Sequence, residues 1–235
     1  MAQGHVSPKK GDFSPFHLKK VTGTKLEFAG LMSKVAERKA KLHDDLVARA
    51  QWVIAERGLE NLRARDLATD VGCSLGQIYN VFEDLDALIL NVSLKTLINI
   101  DGVMTESARR TAGEPPAAAM IDLSHSYFQF VVENTNLWRT LFEHALPAHR
   151  EVPDWIIEKQ VALLDHISKP LAQLSPNLNE AELRQTAQLL FSAVHGVVNL
   201  SVDQRTTGLP ADQVKPQLEL LVGMFVRGLL AADHA

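Results

Sequence analysis

The chain has 235 residues, 46% of them hydrophobic and 22% charged, a balance that suits one large or two modest globular domains with a core of their own. Its apolar runs are a handful of residues long, short of the ~20 needed to cross a bilayer, and no apolar stretch follows Lys9 and Lys10. No membrane association or secretory leader is therefore expected, and the reading is cytoplasmic. The net charge is −4, and the lone cysteine, Cys73, excludes an internal disulfide framework and makes a poor start for a structural zinc site.

Charge is unevenly placed from the first residues on. Residues 1–43 hold nine Lys and Arg against Asp12, Glu27 and Glu37, a net +6 that leaves −10 for the rest. Residues 1–23 mix Pro, Gly, Ser and Lys without an apolar period, so residues 1–30 read as a basic flexible arm, either an electrostatic contact for nucleic acid or a solvated tail. From Leu31 onward, Val35, Leu42, Leu46, Ala50, Val53 and Ile54 recur at helical spacings. The core of that helix is residues 43–57, a break before His43 is left open, and Gly58 is placed to end it in a left-handed turn.

Three short helical patterns follow, at residues 62–71, 75–81 and 85 to about 101. Gly72 stands where a helix ends, Ser74 and Gln77 have the spacing of a capping box, and Asp84 can cap the next helix. Two short helices parted by three residues, with apolar residues facing each other, form a helix-turn-helix or a plain helical hairpin in a bundle. In a helix-turn-helix the second helix enters the major groove. Ile78 and Phe82 are expected to face Leu67 and Val71, which leaves Leu75, Gln77, Tyr79 and Asn80 directed outward. Gln77 and Asn80 suit adenine and Leu75 a thymine methyl, while Tyr79, Arg63 and Arg65 suit phosphates. Ser74 shapes the turn, and Gly76 permits close backbone approach to a duplex.

The run from Leu46 to Val92 resembles the DNA-binding domain of TetR-family transcriptional regulators. The resemblance rests on AERG (55–58), on ARDLATDVGCSLGQIYNVF (64–82) and on the apolar Leu85, Leu88 and Ile89. Several positions depart from the pattern: Leu75 stands where Lys is common, Val81 where an aromatic or His is common, and Glu83, Asp84 and Asp86 replace a segment that usually holds a phosphate-binding Lys. Residues 44–92 carry four Arg against nine acids, a net −5 that is unfavourable beside a polyanion. The basic arm is the candidate source of the missing phosphate contacts.

The rest of the chain reads as helical, with loops at 113–119, 147–155, 175–183 and 206–213 and helices at about 117–146, 153–173, 180–203 and 211–233. The fold class is all-α: a helix-turn-helix DNA-binding domain at residues 31–92 and a helical ligand-binding and dimerisation domain at 93–235. Residues 126–144 and 191–202 also resemble a TetR C-terminal subclass, which implies a Trp-bearing helix over a pocket and a His-Gly pair, His195 and Gly196, in a dimer helix. His195 is expected to pack and hydrogen-bond at that interface. Leu190, Val194 and Val198 in one stripe, and Leu221 and Phe225 in another, are candidates for pairing with a second copy, with burial inside the protomer as the competing account. Candidate ligand residues are Phe128, Trp138, Phe142, Trp155 and Phe191, although aromatics at helical spacing also serve as plain core. His125, His144, His149 and His166 lack metal-ligand spacing, so no metal or cofactor is expected. With no nucleophile elbow, P-loop or dinucleotide glycine pattern, the chain is not read as an enzyme. The expected partners are double-stranded DNA, a second copy and a small apolar ligand that releases a repressor from a palindromic operator. The alternative is control by a protein partner, or constitutive binding.

Overall fold

The computed structural model describes residues 25–147, 150–203 and 209–232. In chain order the helices are α1 (Lys25–Arg57), α2 (Ala64–Val71), α3 (Leu75–Val81), α4 (Leu85–Arg110), α5 (Pro116–Glu133), α6 (Thr135–Glu143), α7 (Asp154–Leu163), α8 (Asp165–Leu174), α9 (Glu180–Val202) and α10 (Ala211–Ala232). A single 3₁₀ turn, Leu59–Asn61, follows α1, and among the described residues there is no strand. The all-α expectation holds.

The chain divides into two compact units, residues 1–40 and 41–235. In the first, only the start of α1 is described, and residues 33–40 are all exposed there. Residues 1–24 of the expected arm lie outside the described residues, whereas residues 25–30 are already helical. No break precedes His43, and α1 is continuous to Arg57.

In the second unit, α1 to α4 close on one apolar cluster. Leu46, Ala50 and Ile54 of α1, Leu67 of α2, Ile78 of α3 and Leu88 of α4 are each almost wholly buried there. The turns between them follow from local chemistry. Gly58 ends α1 at φ 83° and ψ 159°, a region closed to side chains, and Gly72 ends α2 in the left-handed region at φ 75° and ψ 35°. Ser74 and Gln77 form the expected capping box, and Asp84 caps α4 by accepting from the Ala87 N–H at 2.7 Å.

The helix α4 runs past the expected end near residue 101 to Arg110, so the expected boundary between residues 92 and 93 falls inside a continuous helix. Leu137 of α6 is also buried in the N-terminal cluster. By length and composition α4 could cross a bilayer, but half of its most apolar window is buried within the protein, as a core helix requires.

Two expected long helices are each divided. The segment 117–146 breaks at Asn134, whose Nδ2 donates to the Phe130 carbonyl at 3.0 Å and leaves the helical region at φ −129° and ψ 35°. The segment 153–173 breaks at Leu164, whose N–H bonds the Val161 carbonyl at 3.0 Å in a tightened turn. The core of this part draws on α5, α8, α9 and α10, with Tyr127, Trp138, Leu171, Val198 and Leu218 deep inside.

Candidate nucleic-acid interface and ligand cavity

The helix-turn-helix presents α3 with its inner side sealed. Ile78 is 1% and Phe82 4% exposed, and Phe82 stacks on the His43 ring at 4.9 Å. Gly76, Gln77, Tyr79 and Asn80 are exposed, and Leu75 is half-buried. Gln77 is partly engaged already: its Oε1 accepts from the Ser74 N–H at 2.8 Å while the Ser74 Oγ accepts from the Gln77 N–H at 3.2 Å. A bidentate pairing of Gln77 with adenine would break half of that cap, so the amide nitrogen is its available group. Tyr79, 50% exposed, and Asn80 make no side-chain hydrogen bond within the described residues. A Cβ built on Gly76 meets only the Ser74 Oγ, at 4.0 Å, so the fold itself does not require glycine there.

The two candidate arginines differ. The Arg63 guanidinium donates to the carbonyls of Glu60 at 2.7 Å and Leu62 at 2.9 Å, which ties down the turn before α2, while Arg65 is exposed and makes no such bond. Arg49 pairs with Asp70 at 2.8 Å, joining α1 to α2, and lies 4.0 Å from the ring centre of the exposed Trp52.

The acids that depart from the family pattern have partners. Arg150, in the loop between α6 and α7, pairs with Asp84 and lies 3.7 Å from Glu83. The hydrogen bond from Arg150, and then the one from the Ala87 N–H, hold the Asp84 carboxyl below the usual carboxylate range. His144 from the same loop lies 3.2 Å from Asp86 but is not aligned for a hydrogen bond, so its Nε2 is an ionic neighbour only when protonated. Distance in sequence hides these partners.

An apolar cavity of about 370 Å³ opens among α4, α5, α6, α7 and α9. Leu97, Ile100, Met104 and Tyr127 form its buried floor, Phe142 and Phe191 stand in its walls, and Gln160 and Gln188 are its polar side chains besides the Tyr127 hydroxyl. Of the five aromatic residues expected to bind a ligand, Phe142 and Phe191 line this space. Trp138, 2% exposed, packs behind Phe142 at 5.2 Å between ring centres. Phe128 is buried in the core away from the cavity, and Trp155 is 40% exposed on α7. Tyr127 had no signal of its own, being one of several aromatics in SYFQF; its hydroxyl accepts from the Trp138 indole at 2.8 Å and lies 3.0 Å from the His195 Nδ1. His195, half-buried on α9, closes this hydrogen-bonded chain, and burial pushes its pKa down.

The stripe expected to meet a second copy is also spent inside the protomer. Leu190, Val194 and Val198 are 3%, 7% and 0% exposed, packed in the core with α5 and α10, which corrects their assignment to an intersubunit surface. Leu221 and Phe225 are half-buried. Leu189 and Leu200 on α9 and Leu220 and Met224 on α10 are each more than half exposed to solvent.

Known proteins match on both halves. Residues 120–225 match the family described as the tetracyclin repressor-like, C-terminal domain. An uncharacterized HTH-type transcriptional regulator of Haemophilus influenzae is 24% identical over 190 residues, covering 77% of this chain and 84% of that protein. A Rhodococcus sp. RHA1 protein of unknown function superposes with a TM-score of 0.65 at 22% identity, over 80% of this chain and 95% of that one. The TetR family transcriptional regulator PfmR of Thermus thermophilus does so with a TM-score of 0.51 at 16% identity, over 78% of this chain and 98% of that one. At these identities the structural likenesses establish the fold. Beside the helix-turn-helix at residues 64–81, the C-terminal family match and the HTH-type relative support a TetR-family transcriptional regulator.

Proposed function

We infer that the protein is a homodimeric, cytoplasmic repressor that binds a palindromic operator through α3 and releases it when a small molecule occupies the apolar cavity. Residues 31–92 read DNA and residues 93–235 sense the ligand and pair the protomers. The observation that carries the reading is that α6 serves both halves. Its Leu137 is buried in the helix-turn-helix core and Asn136 donates to the Ala55 carbonyl at 2.8 Å, while Leu141 and Phe142 line the cavity. The loop after α6 adds the Arg150 pair with Asp84, directly beyond α3.

A ligand that displaces α6 or α7 therefore moves groups that hold α1 and the start of α4, and a differential affinity between the two arrangements shifts operator binding. A coupling of about 1–3 kcal/mol gives a 5- to 150-fold change. The cavity favours this reading over constitutive or partner-driven control. On DNA, Asn80, Leu75 and the Gln77 amide nitrogen meet bases, and Tyr79 and Arg65 meet phosphates. Ser74 and Arg63 hold the turns that present them, and Gly76 lets the backbone come close. The basic residues preceding α1 add phosphate contacts.

Dimerisation uses the exposed apolar side chains of α9 and α10, since scattered single residues are ordinary but four large ones on two adjacent helices favour pairing. Sedimentation of the wild type and a Leu220→Glu/Met224→Glu variant tests this. A wild-type dimer that the variant converts to a folded monomer with weakened operator binding is expected, and a wild-type monomer at operator-binding concentrations would contradict it.

A further inference from the structure

Resting on the reading that the cavity is the effector site, we propose that the effector is an uncharged, largely apolar molecule with a hydrogen-bonding group, and that carboxylates and protonated amines of the same size are rejected. Among the residues that line the cavity, none is ionised at neutral pH, and most are Leu, Ile, Val, Met and Phe. An ion entering it would give up its water with no counter-charge among the lining side chains, whereas a neutral molecule loses little.

Of the ionisable groups directly beside the lining in sequence, Glu143 lies 3.8 Å from Arg139 and Lys159 pairs with Asp101, while Asp165, next to Leu164, is exposed to solvent. Asp101, next to Ile100, accepts from Lys159 and from His166 at 2.7 Å each, so the Lys159 ammonium beside Gln160 is neutralised by a carboxylate. Behind the aromatic wall, His195 lies 4.5 Å from the Phe142 ring and 5.5 Å from the Phe191 ring, and burial keeps it neutral. The Tyr127 hydroxyl is not a free handle. It accepts from the Trp138 indole, and with His195 carrying its hydrogen on Nε2 the phenolic hydrogen goes to Nδ1. What remains for a ligand is the face of the Tyr127 ring.

The polar recognition thus falls to Gln160 and Gln188, whose side chains make no hydrogen bond among the described residues and stand exposed at the rim on α7 and α9. An amide offers both a donor and an acceptor, so the pair fits an alcohol, ketone, ester or amide equally well and fixes orientation more than affinity. The volume of about 370 Å³ is near the lower end of the ~300–1,000 Å³ range of small-molecule sites, which sets the scale at up to about three rings or a medium alkyl chain.

The test uses two fluorescent probes with one scaffold. N-phenyl-1-naphthylamine is neutral, and 8-anilino-1-naphthalenesulfonate adds a single sulfonate; both brighten in apolar surroundings. Titrated into the full-length protein, the neutral probe is expected to saturate at one site per protomer and the sulfonate to bind at least about 100-fold more weakly. Gln160→Trp and Gln188→Trp, both at exposed rim positions that folding does not depend on, are expected to fill the mouth and abolish neutral-probe binding. Equal affinity for the two probes, absence of saturable binding by the neutral one, or binding indifferent to both tryptophans would overturn the proposal. Operator release is read separately by adding the neutral probe to the protein–DNA complex. If the probe binds, the variants block it and the DNA stays bound, the ligand class stands and the release mechanism fails.

Discussion

Arg150, in the loop between α6 and α7, closes an ion pair on Asp84, the residue that caps α4 shortly after α3. The side chains are 21% and 44% exposed, so the pair belongs to the partly solvated class worth roughly 0–1 kcal/mol. The carboxyl pKa of Asp84 is depressed in the folded state, so its contribution is present above the unfolded value of 3.8 and is lost as pH falls through the lower folded value. Arg150→Ala is expected to lower stability by up to about 1 kcal/mol at pH 7, with a gap to the wild type that shrinks below the unfolded carboxyl value. Urea unfolding at several pH values measures it. The same variant should respond less to ligand in an operator-release assay.

Gly76 is a glycine that the protein interior does not demand, since nothing but the Ser74 Oγ approaches its missing Cβ. Gly76→Ala should leave thermal stability unchanged or raise it by about 0.5–1 kcal/mol through helix propensity, while weakening operator binding tenfold or more. A stable variant with wild-type affinity would remove Gly76 from the DNA-facing set.

The chain from Trp138 through Tyr127 to His195 makes two separate predictions. Tyr127→Phe strands the indole N–H of a residue that is 2% exposed and should cost about 1–3 kcal/mol by chemical denaturation. Burial depresses the His195 pKa, so the unfolded chain binds a proton more readily; stability from this residue is full above the unfolded value near 6.5 and falls as pH drops below it. His195→Gln keeps an acceptor for Tyr127 without a titrating group. It should therefore lose less stability than the wild type between pH 7.5 and pH 5.

Truncation before α1 tests the basic residues there. Removing residues 1–24 deletes Lys9, Lys10, Lys19 and Lys20, and each lysine that neutralises a phosphate should reduce the slope of log K against log salt by about 0.9. Equal slopes with and without the segment would assign it as a solvated tail.

The helix-turn-helix was readable because its signals are local. Gly72, the Ser74 and Gln77 cap and the Asp84 cap all act within four residues, and Ile78 and Phe82 turn inward as their spacing with Leu67 requires. Features set by distant partners were not readable. Glu83, Asp84 and Asp86 look like a charge conflict until Arg150 and His144 arrive from a loop some sixty residues away. The break at Asn134 is composed of ordinary helix-compatible residues, and it positions Asn136 to reach the Ala55 carbonyl on α1. Periodicity identified the stripe of Leu190, Val194 and Val198 as apolar but does not say whether the covering helix belongs to the same chain, and here α5 and α10 cover it. The cavity is a void among five helices, so spacing marked Phe142 and Phe191 as aromatic without separating them from the core residue Phe128.

The most direct test of sequence-specific, dimeric DNA recognition is to incubate the full-length protein with sheared genomic DNA at near-physiological salt and sequence the bound fragments. The account predicts a shared palindrome whose half-sites lie about one helical turn or more apart, lost in Asn80→Ala. Recovery of fragments with no shared motif, or of none, would contradict it.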